Sequence, residues 1–295
     1  MKVGVQLPEW ERPVRWAEVA EMARRIEELG FDSIWVGDHL LYRERGDEPI
    51  GPWECWSQLA ALAAVTERVT LAPLVAATSF HAPAMLAKKA ATVDEISGGR
   101  LVLGLGAGWN RTEYTAFGFP YDRRVSRFEE AFTLIRRLLS GEEVTFRGEF
   151  YTVESSVVHP LGPRGGAIPL LVGSNGPRML EITLPHVAAW NTWFSSFDNR
   201  AANLPPLLAQ IDAACDAVGR DPDEVEKSAA LMLQFSEDLR LDRSDNPLRG
   251  STEELAEELH ACAALGIDEV QLVLDPITID SIERAGEVLD AFRSG

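Results

Sequence analysis

Asp38 and His39 have side chains and a placement that suggest acid–base chemistry. They end the stretch SIWVGDHL (33–40), in which an apolar run passes directly into a carboxylate and an imidazole. A histidine titrates near neutral pH, so it is able to donate a proton or to polarise a carbonyl group. The competing interpretation is that Asp38 caps a turn and that His39 is an ordinary loop residue. Position alone leaves both interpretations open.

The other histidines of the chain are weaker candidates. His81 follows the third strand-like run in TSFHAP, and it is interpreted either as part of the same site or as a structural residue. His260 falls within a helical stretch and is interpreted as structural.

Two glycine-containing segments suggest binding of a planar or phosphorylated ligand. In GLGAGW (104–109), the glycines leave room for a ring or another backbone, although close packing of strand on helix explains them too. In VGSNGPRML (172–180), Pro177 has the place of a first-turn helix residue. The N–H groups of that turn, the Ser174 hydroxyl and the Arg178 guanidinium form a predicted phosphate cradle. The alternative is an Asn/Ser cap with Arg178 in a surface ion pair.

Strand-like and helix-like segments alternate along the chain, and this alternation determines where these residues are expected to lie. We predict eight strands, each followed by a helix, at 2–7, 33–37, 69–76, 100–108, 167–173, 187–193, 227–233 and 269–274. A longer segment, 109–125, follows the fourth strand. The stretch EVTFRGEFYTVE (143–154) predicts a small hairpin that turns at Arg147-Gly148.

The alternation predicts an α/β fold: a single (β/α)8 TIM barrel with a loop and helix insertion after strand 4, forming one domain over 1–295. A helix–turn–strand unit recurs at 27–38 and 263–275, as expected of a closed barrel. The alternative is an open doubly wound sheet, but this chain lacks the G-x-G-x-x-G motif that usually follows the first strand of such a sheet. The carboxyl ends of barrel strands meet at one mouth, so Asp38-His39, 104–109 and 173–178 are expected around one opening.

Composition argues against several functional classes. The 295 residues are 46% apolar and 25% charged, which is typical of a globular protein. The formal net charge of −18 argues against a nucleic-acid partner. Cys55, Cys215 and Cys262 form no metal-binding or redox motif and predict buried thiols in a reducing compartment. The apolar runs are short and interrupted by charges, which predicts a cytoplasmic protein with no membrane partner. No metal site is predicted.

Three segments taken together resemble the bacterial luciferase-like superfamily, whose enzymes use flavin or the deazaflavin coenzyme F420. They are GFDSIWVGDH (30–39), HAPAMLAKKAATVDEISGGRLVLGLGAGWNRTEYTAFG (81–118) and LLVGSNGPRML (170–180). The resemblance runs over nearly the whole chain and is weakest at 235–250 and at the C-terminus. It implies the same barrel fold and favours the branch of coenzyme F420-dependent oxidoreductases.

The resemblance also implies roles for individual residues. The strand-two Asp-His pair of the family corresponds to Asp38 and His39, and this histidine lies near the reactive ring in deazaflavin members. A non-proline cis peptide, which supports the ring in many members, would here be Leu74–Val75. The remaining residues expected to bind the cofactor are the glycine turn after strand four and the phosphate loop after strand five, namely Gly106, Ala107, Gly108, Gly173, Ser174, Asn175, Gly176 and Arg178.

The chain departs from the family pattern at one position. Sugar-phosphate dehydrogenases of the family carry a catalytic glutamate just after the fourth strand, where this sequence has Trp109. The resemblance therefore argues against glucose 6-phosphate as substrate and predicts an apolar wall over the cofactor. Asn191, at the end of strand six, is expected to hydrogen-bond substrate or cofactor. We interpret Glu113 as a structural ion-pair carboxylate rather than an acid.

We predict an F420-dependent oxidoreductase that transfers a hydride between the deazaflavin and a small organic substrate, with His39 handling the accompanying proton. One alternative is an FMN-dependent monooxygenase supplied by a separate flavin reductase, and another is a non-catalytic cofactor-binding protein. Family members are often dimers, so the resemblance allows a homodimer. Substrate specificity is expected to come from the loops 40–53, 109–125 and 235–250, and no motif identifies the substrate or the direction of hydride transfer.

Overall fold

The computed structural model describes residues 1–9, 11–43, 48–236 and 246–295. Parts of the predicted specificity loops 40–53 and 235–250 lie outside these residues. The chain divides into two compact units, Met1–Trp35 with Leu171–Gly295, and Val36–Leu170. That the whole chain forms a single domain stays a prediction.

The strands are, in chain order, Lys2–Gln6 (β1), Ser33–Val36 (β2), Thr70–Pro73 (β3), Ala76–Ala77 (β4), Leu103–Gly106 (β5), Val144–Arg147 (β6), Thr152–Ser156 (β7), Leu170–Gly173 (β8), Ala189–Thr192 (β9), Glu226–Gln234 (β10) and Glu269–Asp275 (β11). The helices are Trp16–Glu28 (α1), Cys55–Val65 (α2), Pro83–Ser97 (α3), Arg111–Phe117 (α4), Arg124–Leu139 (α5), Pro177–Thr183 (α6), Pro205–Ala217 (α7), Thr252–Ala264 (α8) and Ile279–Ser294 (α9). No helix among the described residues is long and apolar enough to cross a membrane.

These bounds agree with the predicted alternation, with one difference. The predicted third strand is broken into β3 and β4, and the break contains the cis peptide bond Leu74–Val75 that the resemblance implied. The segment predicted as an insertion after strand 4 contains helix α4. This helix ends at Gly118, whose positive φ of 75° is a conformation that glycine adopts without strain.

The unit formed by Met1–Trp35 and Leu171–Gly295 is built on a parallel sheet in the order β2-β1-β11-β10-β9-β8. Gly4 of β1 lies opposite Ser33 on one side and Gln271 on the other. A Cβ at Gly4 would lie 2.0 Å from the Ser33 hydroxyl oxygen, so glycine is required there. On β11, Gln271 shares one face with these residues, while the buried Val270 and Leu272 lie on the other face.

The same unit has helices with clear start signals. Helix α8 begins with a capping box, in which Ser251 and Glu254 each bond the other's backbone N–H. Helix α9 is capped by the Thr278 hydroxyl, which accepts the Ser281 N–H at 3.1 Å. Helix α1 buries one face, formed by Val19, Ala20, Met22, Ala23 and Ile26.

In the unit Val36–Leu170, the Arg100 guanidinium joins the ends of α2 and α3. It donates to the carbonyl oxygens of Ala63, Thr66, Val69 and Ser97 at 2.7–3.0 Å. The last carbonyls of a helix have no partner within the helix, so a cation is well placed to satisfy them. Arg100 lies in 81–118, one of the three segments that resemble the luciferase-like superfamily.

The predicted hairpin is present as the antiparallel pair β6–β7, and it is attached to α5 by one carboxylate. Glu130 accepts the backbone N–H groups of Glu149, Phe150 and Tyr151 at 2.7, 2.9 and 3.1 Å. The turn therefore spans 148–151, slightly later than the predicted Arg147-Gly148.

Candidate active site

Asp38 and His39 are neighbours in sequence, but they bind different partners. Asp38 is only 3% exposed, and its Oδ2 accepts the Ala77 N–H at 2.9 Å and lies 2.8 Å from His81 Nε2. His39 Nδ1 lies 3.0 Å from Glu113 Oε2 and 3.2 Å from Oε1. The pair predicted from sequence is thus two separate carboxylate–histidine pairs, both within the unit Val36–Leu170.

Helix α4 brings Glu113 to His39. Asn110 caps this helix by accepting the Thr112 N–H at 3.1 Å, and its amide also donates to the Leu41 carbonyl at 3.1 Å. Glu113 is the third helical residue, where a capping box would turn its carboxylate back to the cap. Instead the carboxylate accepts the N–H groups of Leu40 and Leu41. The first turn of α4 is therefore tied to the segment that follows His39.

Aromatic rings surround the His39 imidazole. The centroids of the Tyr42 and Trp109 rings lie 4.9 and 5.6 Å from that of His39. Trp109 is 61% exposed, which is unusual for so large an apolar side chain. An exposed indole beside a fixed imidazole is consistent with the predicted apolar wall, whose contact with a cofactor stays a prediction.

The glycine turn after β5 is filled from within the same unit. The buried Tyr114 hydroxyl donates to the Ala107 carbonyl at 2.8 Å, and burial raises the pKa of this phenol. Gly108 has a φ of +74°, and a Cβ there would lie 2.2 Å from the Tyr114 oxygen. The Gly106 carbonyl accepts from Thr78 at 3.3 Å. The Tyr114 side chain occupies the space beside Gly108. The predicted cofactor contacts of Gly106, Ala107 and Gly108 stay predictions.

Val75 lies at the break between β3 and β4. Leu74 is buried, and its N–H donates to the Val36 carbonyl at 2.8 Å. Val75 is the one residue of 71–80 that is not fully buried. Its side chain is thus available to support a ring, as the resemblance implied.

In the other unit, the loop after β8 has the form of an anion cradle, although one of its donors is already used. The Gly176 N–H donates to the Ser174 hydroxyl oxygen at 3.2 Å, so the hydroxyl hydrogen of Ser174 can be directed elsewhere. No side chain caps helix α6, which begins at Pro177, and the Arg178 side chain is exposed beside it. These are the groups that an incoming phosphate requires.

Asn175 supplies a direct test of whether this loop fits a ligand. Its Nδ2 lies 3.1 Å from both the Thr192 and the Ser196 hydroxyl oxygens, while its buried Oδ1 has no partner among the described residues. Either hydroxyl can donate or accept, so the amide can be placed either way round. In the reversed orientation both hydroxyls donate to Oδ1 and the NH₂ group occupies the position without a partner. That group would then be a donor for a phosphate oxygen, so the loop fits a phosphorylated cofactor.

Asn191 lies deeper than the sequence suggested. It is 4% exposed, and its Nδ2 donates to Ser228 Oγ at 3.1 Å and to Gln271 Oε1 at 2.8 Å. Both side-chain amide hydrogens of Asn191 are used inside the sheet. The predicted contact with a ligand would therefore have to be made by its side-chain oxygen, Oδ1.

Sequence reasoning missed the histidine–carboxylate partners. Glu113 was interpreted as a structural ion-pair carboxylate, and it is paired with the candidate catalytic histidine. His81, for which the sequence allows two interpretations, is paired with Asp38. A signal for the first was available, because Asn110 followed three residues later by Glu113 is a helix-start pattern. Among the described residues, no group of three or more His, Cys, Asp or Glu side chains is arranged to hold a metal ion.

Residues 1–240 match the family described as luciferase-like monooxygenase. The chain belongs to this family. A 5,10-methylenetetrahydromethanopterin reductase from Archaeoglobus fulgidus is 32% identical over 248 residues, which cover 80% of this chain and 70% of the relative. An F420-dependent glucose-6-phosphate dehydrogenase from Intrasporangium calvum is 31% identical over 233 residues, which cover 75% of this chain and 66% of the relative.

Solved structures give the fold. An F420-dependent secondary alcohol dehydrogenase, in complex with an F420–acetone adduct, superimposes with a TM-score of 0.83 at 20% identity, covering 99% of both chains. The oxygenating constituent of 3,6-diketocamphane monooxygenase from Pseudomonas putida, in complex with FMN, superimposes with a TM-score of 0.75 at 17% identity, covering 97% of both chains. These likenesses confirm the predicted α/β fold class, the (β/α)8 barrel.

Proposed function

We propose that this chain is a coenzyme F420-dependent oxidoreductase that transfers a hydride between the deazaflavin and a small organic molecule. The observation that carries the proposal is the placement of His39. This histidine follows β2, is held by the buried Glu113 carboxylate and lies beside the exposed indole of Trp109. The names of the two curated relatives support it, because one is an F420-dependent dehydrogenase and the other a reductase of the same family.

Each unit has residues that fit a part of such a cofactor. In one unit, the loop from Gly173 to Arg178 has the groups that would hold a phosphate; in the other, Val75, at the break between β3 and β4, would support a ring. When bound, the deazaflavin supplies the hydride chemistry. The protein's own contribution is to fix the approach of the substrate and to exclude water, which Trp109 is placed to do.

His39 moves the proton that accompanies the hydride. Its Nδ1 is held by Glu113, so the proton enters or leaves through Nε2. Asp38 acts at a distance from this step, since its carboxylate holds His81 and the backbone of Ala77. We therefore assign Asp38 a positioning role rather than the catalytic one expected from sequence.

The second candidate function is an FMN-dependent monooxygenase that receives reduced flavin from a separate reductase. It is favoured by the likeness to the FMN-bound monooxygenase constituent. The two candidates differ in chemistry, because the monooxygenase would deliver oxygen to its substrate whereas the deazaflavin enzyme would exchange only a hydride and a proton.

Titration with coenzyme F420 and with FMN, followed by tryptophan fluorescence, tests the proposal. We expect F420 to quench the emission at concentrations at least about tenfold lower than FMN does, which corresponds to about 1.4 kcal/mol. The variant Trp109→Phe should lose part of this quenching. Trp16→Phe serves as the matched control, because Trp16 begins helix α1 and is far from Trp109 in sequence. Tight binding of FMN without binding of F420 would overturn the cofactor assignment in favour of the monooxygenase.

A further inference from the structure

We infer that Glu113 is the positioning residue of His39: it holds the imidazole with its proton on Nδ1, so that Nε2 is the basic nitrogen. The catalytic consequence of this inference rests on the proposed function. The tautomer itself is a property of this chain alone, and it can be measured without any cofactor.

The hydrogen bonds of Glu113 determine where the proton lies. Its carboxylate receives the N–H groups of Leu40 and Leu41, which are donors only. Glu113 has no exposed surface, and its carboxylate acts as the acceptor toward both N–H groups. The hydrogen between Glu113 and His39 Nδ1 therefore belongs to the histidine. A neutral imidazole carries one N–H, so its second nitrogen, Nε2, holds a lone pair.

The other pair provides an internal comparison, because the opposite nitrogen is held. Asp38 Oδ2 accepts the Ala77 N–H and faces His81 Nε2 at 2.8 Å, so His81 carries its proton on Nε2. The structure thus assigns opposite tautomers to two histidines that each face one buried carboxylate. Aromatic rings lie beside both imidazoles: Tyr42 and Trp109 beside His39, and Trp56 beside His81.

The tautomer matters for the proton step. When a substrate hydroxyl gives up its proton, the O–H bond breaks and a new N–H bond forms at His39 Nε2. The resulting imidazolium faces the Glu113 carboxylate, which stabilises the charge. In the opposite direction the same nitrogen returns the proton to the substrate oxygen. If neutral His39 carried its proton on Nε2 instead, this nitrogen would have no lone pair to accept the proton of the substrate hydroxyl.

The substitution Glu113→Gln tests the inference, because it should invert the tautomer of His39. Only the amide oxygen of glutamine can accept from Leu40 and Leu41, so the NH₂ group takes the place of Oε2, facing Nδ1. Nδ1 must then accept, and the proton moves to Nε2. Asp38→Asn is the matched control, since it changes the partner of His81 and leaves Glu113 in place.

Long-range ¹H–¹⁵N spectra of the five histidine side chains give the readout. The His39 signals are assigned by their absence in His39→Ala, and those of His81 by their absence in His81→Ala. We expect Nδ1–H for His39 and Nε2–H for His81 in the unmodified chain, and inversion at His39 alone in Glu113→Gln. Asp38→Asn should leave the His39 pattern unchanged. An Nε2–H form of His39 in the unmodified chain would overturn the inference, even if Glu113→Gln failed to fold.

The kinetic prediction follows from the same geometry. Glu113→Gln should lower kcat by about 10–100-fold and change KM by less than about threefold. Because Glu113 acts through His39, the double variant with His39→Ala should be no slower than His39→Ala alone. An additive loss would show that Glu113 acts elsewhere. Absence of F420-dependent activity in the unmodified chain would reject the proposed function but leave the tautomer result standing.

Discussion

At the scale of single residues, the chain uses carboxylates for several different tasks. Glu113 orients an imidazole, Asp38 secures a second imidazole and a backbone N–H, and Glu130 closes a hairpin turn. None of these tasks can be inferred from residue type. A carboxylate in a sequence shows that an acceptor is present, but its partners come from other elements and depend on the fold.

The first residue-scale prediction concerns His39. Replacement by alanine should lower kcat by about a hundredfold or more, in line with the loss of a group that donates or accepts the proton. His260→Ala is the control, because His260 is exposed on α8, where its ring lies 4.7 Å from that of Phe292. Steady-state rates of F420 oxidation or reduction provide the measurement. A His39→Ala enzyme with full kcat would remove His39 from the mechanism.

The second residue-scale prediction concerns pH. Burial raises the pKa of Glu269 above its ordinary value of 4.5, although hydrogen bonds from Ser33 and Trp35 act to lower it. The folded state therefore binds the proton more tightly than the unfolded state, so this group favours folding below pH 4.5 and loses that contribution as pH rises through the folded-state pKa.

Glu269→Gln keeps an acceptor oxygen and removes the charge. It should raise the Tm at pH 7 and make little difference at pH 4, as measured by thermal unfolding monitored by circular dichroism. Glu21→Gln, at an exposed position of α1, is the matched control and should be neutral at both pH values. A lower Tm of Glu269→Gln at pH 7 would contradict the prediction.

At the scale of elements, the glycine turn after β5 makes a quantitative prediction. Gly108→Ala adds a Cβ 2.2 Å from the Tyr114 oxygen at a φ of +74°. Gly118→Ala has nearly the same φ, +75°, with nothing within 4 Å of its Cβ. The Gly118 variant should lose about 1–2 kcal/mol of unfolding free energy from the backbone alone.

Gly108→Ala should lose about 1–3 kcal/mol more than Gly118→Ala, because the added methyl group displaces Tyr114. Denaturant unfolding measures both losses. Tyr114→Phe removes the obstructing hydroxyl, so the double variant should be more stable than the sum of the two single losses implies. Equal losses at positions 108 and 118 would show that Tyr114 moves aside freely.

The elements themselves were largely predictable from the sequence. Helices α3 and α8 follow strong start signals, Pro83 and Ser251, which are visible in the sequence. The division of the third strand at Leu74–Val75 was not visible in the pattern VTLAPLVA, which reads as a continuous apolar run. Only the resemblance located it, since periodicity reports which faces are buried and not the geometry of one peptide bond.

The site was predictable in part. The residues that end the strands were identified because barrel chemistry lies at the carboxyl ends of strands. Which carboxylate meets which histidine was not, because Glu113 and His39 are 74 positions apart and are brought together by a helix predicted only as an insertion. That the glycine turn, the phosphate loop and His39 surround one opening stays a prediction.

At the scale of the whole molecule, the three thiols behave alike. Cys55, Cys215 and Cys262 are all buried, as predicted, and burial raises the pKa of Cys262 to about 12. A thiol reacts as its thiolate, so none should react with an aromatic disulfide reagent in the folded protein, and all three should react in denaturant. Absorbance of the released thiolate counts them. One fast-reacting cysteine in the native state would contradict this expectation.

Arg100 has a consequence for how the chain tolerates being cut. Its side chain donates hydrogen bonds to the carbonyl oxygens of residues 63, 66, 69 and 97, so the ends of α2 and α3 acquire these hydrogen bonds together. A cut between 70 and 99 would separate Arg100 from the carbonyls at 63, 66 and 69, so the end of α2 would lack these hydrogen bonds until the two fragments met again. Complementation from separately expressed halves is therefore better attempted at the 148–151 turn, where a nick leaves the α2 and α3 termini intact.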